Sequence, residues 1–435
     1  MVFWMNVSKP PPEPAPPPPL DPFELLDDGL VLAVFRCFDG PKSLCSVALV
    51  NRRFSCLSAE SFVWQPLLTA ALPAVGCSLF AWPSCNPLDW RERYKQWHTL
   101  SALKWVHCPH DPDLPVPSSR YLHRAAAVSG GVIYVYGGRG LDRELGDLWM
   151  LNSDAAVGAS EAQWRLVLPR SEERPIERLS ATLTAVELGA LPGTDAPHHG
   201  LVMFGGRCGE SFLNDAWLFD TGASVWVQLA AHTLQPADAS TPEGRWAHSA
   251  VAHHAQCAVV VFGGSAPGSC FNDVFSFHVR EREWEVHECA GTPPSPRSGH
   301  SVCLAGTSMF VFGGNTTRES FNDLWEYELE ERTWARLKTR GSSPSARVGH
   351  ALVPFGKRLI LFGGRQYMDN SFDPAMHVFD LDAKRWAGLK VGSSPPAVRT
   401  GHAAVACGGS MLVFGGLGAN ASEYFNDVYV LRLVD

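Results

Sequence analysis

The sequence predicts a mainly β protein, a six-bladed β-propeller preceded by a small all-α domain. Three observations carry the prediction. A Gly-Gly pair ends a short apolar run at Gly137-Gly138, Gly205-Gly206, Gly263-Gly264, Gly313-Gly314, Gly363-Gly364 and Gly415-Gly416, and successive pairs stand 68, 58, 50, 50 and 52 residues apart. Around each pair the same residues return in the same order. A tryptophan closes every unit but the last, and a further tryptophan, Trp105, stands ahead of the first unit. A period near fifty with four short strands per unit is that of propeller blades, each one a twisted antiparallel sheet.

Each unit opens with Arg-x-x-His and a strand of small residues: Arg120 and His123, Arg245 and His248, Arg297 and His300, Arg347 and His350, Arg399 and His402. The second unit keeps Arg178 but has Ala181 at the histidine position. The second strand ends in Gly-Gly, where the chain can leave through positive φ with no side chain obstructing the next blade. The third strand begins with Asn214-Asp215, Asn272-Asp273, Asn322-Asp323 or Asn426-Asp427, with Gly146-Asp147 in the first unit and a departure to Phe372-Asp373-Pro374 in the fifth. The fourth strand carries Trp164, Trp226, Trp284, Trp334 or Trp386. Tryptophans of this kind are large wedges suited to the space between blades.

The sixth unit ends with its third strand at Asp435. Because open sheet edges invite unwanted pairing, the missing strand is expected from Leu103-Lys104-Trp105-Val106-His107, which precedes Arg120 as Trp284 precedes Arg297. The propeller then spans 103–435, tied at both ends through one blade.

Ahead of it, residues 1–20 read as a disordered, Pro-rich segment with eight prolines over 9–19, a spacer by composition. Residues 21–68 read as three short helices. Asp21-Pro22-Phe23-Glu24 supplies an N-cap, a first-turn proline and an early acid. Leu30 to Phe38 is apolar up to Gly40-Pro41, Leu44, Val47 and Ala48 follow at helical spacing, and Phe62, Val63, Trp64, Leu67 and Leu68 close the group. Residues 69–102 read as a helical linker, its clearest helix being Asp89 to Trp97.

The 435 residues are 46% hydrophobic and 18% charged, with a net charge of −8, which fits an ordered chain and gives no support for nucleic-acid affinity. Twelve cysteines are scattered without a C-x-x-C pair, so zinc ribbons and thioredoxin-like sites lack their spacing. Free thiols in a reducing compartment are expected. Met1 to Val7 lacks the basic start of a secretory leader, and no apolar run of about 18 residues offers a membrane span. Cytoplasmic or nuclear residence is the expectation.

The repeat region resembles the kelch family over 103–435. Residues 21–68 resemble the F-box at Leu26, Leu30, Val34, Phe35 and Phe38, then Leu44, Val47, Leu49-Val50-Asn51-Arg52-Arg53-Phe54 and Trp64, with Asp27 where that motif usually has proline. The pairing is similar to plant-type F-box/kelch proteins, and the propeller resembles that of the LOV-kelch photoreceptors, without room for their light-sensing domain. The resemblance implies a non-catalytic subunit of a Skp-cullin-F-box ubiquitin ligase. Leu26, Leu30, Val34, Phe35, Leu49, Val50, Arg53, Phe54 and Trp64 would dock a Skp-type adaptor, and through it a cullin and a RING protein. The propeller would hold an unknown protein substrate, with no cofactor or metal and neither nucleic acid nor membrane as partner.

Within the propeller, the loops after each Gly-Gly are the natural binding surface, since loops on a rigid scaffold carry recognition. Arg139, Arg207 and Arg365 directly follow Gly-Gly and Arg318 lies close by. A rim of this kind suits an acidic or phosphorylated segment. For the six Arg-x-x-His arginines the structural role is favoured. Two other functions compete. One is a kelch scaffold without a ligase role. The other is a metal-dependent kelch enzyme, but an iron-type Glu-x-x-x-Asp-x-x-x-His fails because Tyr327 follows Glu319 and Asp323, and no Tyr, Cys and His set marks a copper site.

Overall fold

A computed structural model describes Leu100 and residues 103–433, except 130, 153–161, 191–196, 233–239, 393, 408 and 421. The Pro-rich segment, the F-box-like residues 21–68 and the proposed linker helix therefore lie outside the described residues. The described residues belong to the larger of two compact units into which the chain divides.

Six sheets of four or more strands follow one another among these residues. The innermost strands are Arg124–Val128, Thr182–Ala190, Ser249–His253, Ser301–Ala305, Val348–Phe355 and Ala403–Cys407. Each touches the next, and the last touches the first. These six sheets are therefore the blades of a closed ring. Each blade runs outward by antiparallel pairing, as in Ser301–Ala305, Ser308–Phe312, Leu324–Glu328 and Thr333–Arg336. In the sixth blade the outer strand is Leu103–Cys108, antiparallel to Tyr424–Leu433 with Trp105 opposite Leu431. The two ends of the propeller sequence thus share a sheet.

One buried arginine organises each blade. Arg120, Arg178, Arg245, Arg297, Arg347 and Arg399 are 0–1% exposed. They bind Asp147, Asp215, Asp273, Asp323, Asp373 and Asp427 respectively. In the fourth blade Nη1 and Nη2 of Arg297 donate to Oδ1 and Oδ2 of Asp323 at 2.8 and 3.1 Å. Nη1 also donates to the Gly313 carbonyl at 2.9 Å and Nε to the Ser295 carbonyl at 3.1 Å. Burial alone would raise the Asp323 carboxyl, but the hydrogen bonds and charge of Arg297 outweigh it and hold it below the usual carboxylate range. Asp373 of the departing fifth unit occupies the same place, its Oδ2 accepting from Arg347 at 2.6 Å.

The backbone of the same arginine binds the preceding blade. The Arg347 carbonyl accepts from Gly314 at 2.9 Å, and the Arg297 carbonyl accepts from Gly264 at 2.9 Å. This contact requires Gly-Gly. Gly313 and Gly314 sit at φ +68° and +90°, and a Cβ on Gly313 would lie 2.9 Å from the Arg347 carbonyl oxygen while one on Gly314 would lie 2.8 Å from His300 Cβ.

A second ring of bonds runs around the axis. Leu122, Ser180, Ala247, Gly299, Gly349 and Gly401 all have positive φ. The amide of each donates to the carbonyl of its counterpart in the preceding blade at 2.7–3.0 Å, and Leu122 completes the circle on Gly401. Such a ring satisfies backbone groups that would otherwise face the axis unpaired.

Aromatic residues seal the blade junctions. Phe262 of the third blade lies between His300 and Trp334 of the fourth, with centroids 5.1 and 4.9 Å away. Phe204, Phe312 and Phe362 are held the same way, and Phe362 lies 5.2 Å from Trp105. At the junction of the first two blades Tyr136 replaces phenylalanine where Ala181 replaces histidine, and its hydroxyl donates toward the Pro175 and Ile176 carbonyls at 3.1 Å. Trp105 is 5% exposed. Trp105→Ala should therefore cost about 3–5 kcal/mol of stability, the range for a core tryptophan. Urea unfolding measures this, and a loss below about 0.5 kcal/mol, typical of a surface site, would contradict the closure described.

Burial, aided by the charge of the neighbouring arginine, keeps the repeat histidines neutral. His350 and His402 are pushed down to about 3, and His123, His248 and His300 well below the usual imidazole range. Once unfolded each titrates near 6.5. Below that pH the unfolded chain binds the extra protons, so acid favours unfolding. Stability should be level above about pH 7 and fall as the pH drops toward 4, by up to about 1.4 kcal/mol per pH unit for each histidine. A urea midpoint unchanged from pH 7.5 to 4.5 would rule this out.

Candidate functional site

The loops between second and third strands and the links between blades share one face. A cavity of about 570 Å³ opens there and continues along the innermost strands. Tyr121, Trp246 and Tyr367 stand at its mouth, and Thr184, Val302 and Leu352 line it farther in. A volume of this size holds a small molecule or a few side chains of a bound segment.

The mouth is built on one repeated pairing. The residue after Gly-Gly pairs with the residue just before the positive-φ ring position, as in Tyr121 with Arg139, Leu179 with Arg207, and Val348 with Arg365. The position after Gly-Gly is thus Arg139, Arg207, Ser265, Asn315, Arg365 and Leu417 in blade order. Three arginines occupy the arc from the fifth blade through the sixth to the second, while the third and fourth blades offer neutral groups.

The charges of all three arginines bear on Tyr121. Burial and the neighbouring Tyr424 raise its phenol, while Arg139, Arg365 and Arg207 act against that rise. The Tyr121 and Tyr424 rings meet edge to face at 5.5 Å. Arg139 is exposed and pairs with Tyr121 through backbone bonds of 2.8 and 3.1 Å. Arg207 stacks 5.4 Å over Trp246 and donates from Nε to the Gly209 carbonyl at 2.6 Å. Arg365 lines the cavity and donates to Asn370 Oδ1. Leu141, Tyr367 and Met368 in the first and fifth loops are exposed apolar side chains. The arc is not purely basic, since Glu144 accepts the Gly209 amide at 3.0 Å.

Arg318 is exposed in the loop of the fourth blade, across the ring from the first. The structure groups three of the four candidate arginines and leaves this one apart. The repeat arginines are consumed by the fold, as favoured from sequence. Two features were not singled out there. One is the aromatic mouth of Tyr121, Trp246 and Tyr367. The other is Arg124, which lines the cavity directly after His123. Both become visible when the units are aligned on their histidines.

Among the described residues no cluster of three or more His, Cys, Asp or Glu could hold a metal. Asp323 is bound to Arg297, and Glu319 is exposed. Tyr327 does meet a histidine and a cysteine, its hydroxyl 2.7 Å from His287 Nδ1 and 3.6 Å from Cys289 Sγ. This trio packs between the third and fourth blades with Tyr327 fully buried, and none of the three lines the cavity.

Comparison with known proteins agrees with this architecture. The KLHDC2/KLHL20/DRC7 Kelch-repeats domain matches residues 92–241 and 230–357, and the Attractin/LZTR1 beta-propeller matches 309–435. Acyl-CoA-binding domain-containing protein 5 of Arabidopsis thaliana is 28% identical over 49% of this chain and 38% of its own length. Adagio-like protein 1 of Oryza sativa subsp. japonica is 28% identical over 65% of this chain and 42% of its own. Leucine-zipper-like transcriptional regulator 1 homolog of Drosophila melanogaster is 32% identical over 49% of this chain and 20% of its own. The chain spans less than half the length of each of these relatives. With a kelch-repeat family matched over most of its length, and with six blades built on the kelch repeat, the chain belongs to the kelch-repeat propeller family.

Proposed function

We propose that this kelch propeller is the substrate-recognition subunit of a Skp-cullin-F-box ubiquitin ligase, capturing a protein with an acidic or phosphorylated segment at the mouth of its central cavity. The observation that carries the capture is the common placement of Arg139, Arg207 and Arg365, each paired with the link between blades at the cavity mouth, beside exposed Leu141, Tyr367 and Met368. Guanidinium groups suit carboxylates and phosphates because they offer paired donors in a fixed plane. Aromatic and apolar neighbours supply the desolvated contact area that makes such a site hold its ligand.

The ligase half of the proposal rests on the F-box-like residues 21–68, with Leu30 and Phe35 among those expected to face the adaptor. The propeller does no chemistry in this reading and acts as a protein-interaction module. Should the adaptor not bind, the same mouth would serve a scaffold outside any ligase.

Two measurements separate the halves. In pull-downs with a Skp-type adaptor, wild type should bind and Leu30→Ala/Phe35→Ala should not; a folded wild type that fails to bind ends the ligase reading. Arg139→Ala/Arg207→Ala/Arg365→Ala should leave adaptor capture unchanged and weaken substrate capture at least tenfold, about 1.4 kcal/mol. Undiminished substrate capture by this triple variant would remove the basic arc from the account.

A further inference from the structure

The residue directly after the repeat histidine forms a layer around the cavity. In blade order it is Arg124, Thr182, Ser249, Ser301, Ala351 and Ala403, and all six line the cavity. Five are small and uncharged. Arg124 is the exception, projecting a full guanidinium into space that small residues in the other blades leave open.

Arg124 differs from the six repeat arginines in having no counterion among the described residues. Its one side-chain hydrogen bond shown is from Nη1 to the His123 carbonyl at 3.1 Å. Among the described residues no carboxylate lines the cavity, and the only other charged lining residue is Arg365 at the mouth. The charge of Arg124 acts on His248 and His300 of the third and fourth blades, so it bears across the cavity. Burial pushes its guanidinium down to about 10. The Arg124 side chain is part exposed and borders the cavity, so its charge faces the contents of the cavity rather than an acid of the fold, unlike the six paired arginines.

We propose that the cavity binds a small organic anion, whose single oxyanion group, a carboxylate or a phosphate, is held by Arg124. The surroundings suit that chemistry. Ser301 Oγ accepts the Leu352 amide at 3.0 Å, which leaves its own proton available to donate. Thr182 and Ser249 stand at the same level on the two intervening blades, their hydroxyls 3.4 and 2.6 Å from Nε2 of His248 and His300. Toward the mouth, Tyr121, Trp246 and Tyr367 offer apolar and aromatic surface for the body of the ligand. Volume, one cation, nearby hydroxyls and an aromatic entrance make up the usual composition of a small-molecule site. The inference is independent of whether residues 21–68 dock an adaptor, and it concerns a group deeper than the three mouth arginines.

Thermal unfolding of the full chain tests it, with inorganic phosphate and acetate as separate probes at ionic strength held constant by sodium chloride. At least one probe should raise the wild-type Tm by about 2 °C or more at tens of millimolar, and the one that does so identifies the head group. Arg124→Met should remove this response while leaving the ligand-free Tm equal or higher, since an unpaired charge has gone; Arg124→Lys should retain part of the response. Failure of both probes to raise the wild-type Tm would overturn the proposal. So would an undiminished response in Arg124→Met, or a ligand-free Tm for that variant several degrees below wild type, which would mark Arg124 as a support of the fold.

Discussion

Each blade buries a guanidinium almost completely, and the rest of the molecule follows from accommodating it. A charged group taken out of water costs several kcal/mol unless its partner and every donor are well placed. Arg297 meets that condition with the two oxygens of Asp323 and the Gly313 and Ser295 carbonyls. The requirement fixes the aspartate at the start of the third strand and the glycine at the end of the second. The carbonyl of the same arginine then accepts from the preceding blade. The residue that completes one blade therefore also anchors the one before it.

Arginine, histidine, Gly-Gly, aspartate and tryptophan are committed to the ring, and the proposed binding residues stand at the positions beside them. Arg139, Arg207 and Arg365 follow Gly-Gly, and Arg124 follows His123. The hydrogen-bonded ring through Leu122, Ser180, Ala247, Gly299, Gly349 and Gly401 holds these positions on a rigid support. Two kinds of arginine thus share one fold, one buried against an aspartate of its own blade and one, Arg124, bordering the cavity with no ion pair among the described residues. Sequence neighbours such as Arg120 and Arg124 differ in role because one faces the blade junction and the other the cavity.

The blade period was legible because it rests on local requirements. Positive φ demands glycine, and a buried wedge between sheets demands a large aromatic ring. The segment around Trp105 belongs with these, since its tryptophan matches the others and the structure shows it paired to Tyr424–Leu433. Asp373 was harder to place, because Phe372 and Pro374 hide it within an altered motif; its ion pair with Arg347 assigns it to the common role. The grouping of Arg139, Arg207 and Arg365 on one arc, and the place of Arg318 across the ring from the first blade, depend on which blades are neighbours around a closed ring. No linear spacing conveys that. Arg124 was passed over for a different reason: beside the repeated Arg-x-x-His it reads as one more surface charge until all six units are aligned.

The central claim is that the buried arginine carries the ring, and Arg297→Ala tests it most directly by urea unfolding at pH 7.5, where the histidines do not titrate. Removing one partner of a buried, hydrogen-bonded pair strands the other, so the account predicts a loss of about 3–5 kcal/mol. A loss below about 1 kcal/mol, the scale of an exposed ion pair, would mean that the ring stands without its arginines and that the account of the fold is mistaken.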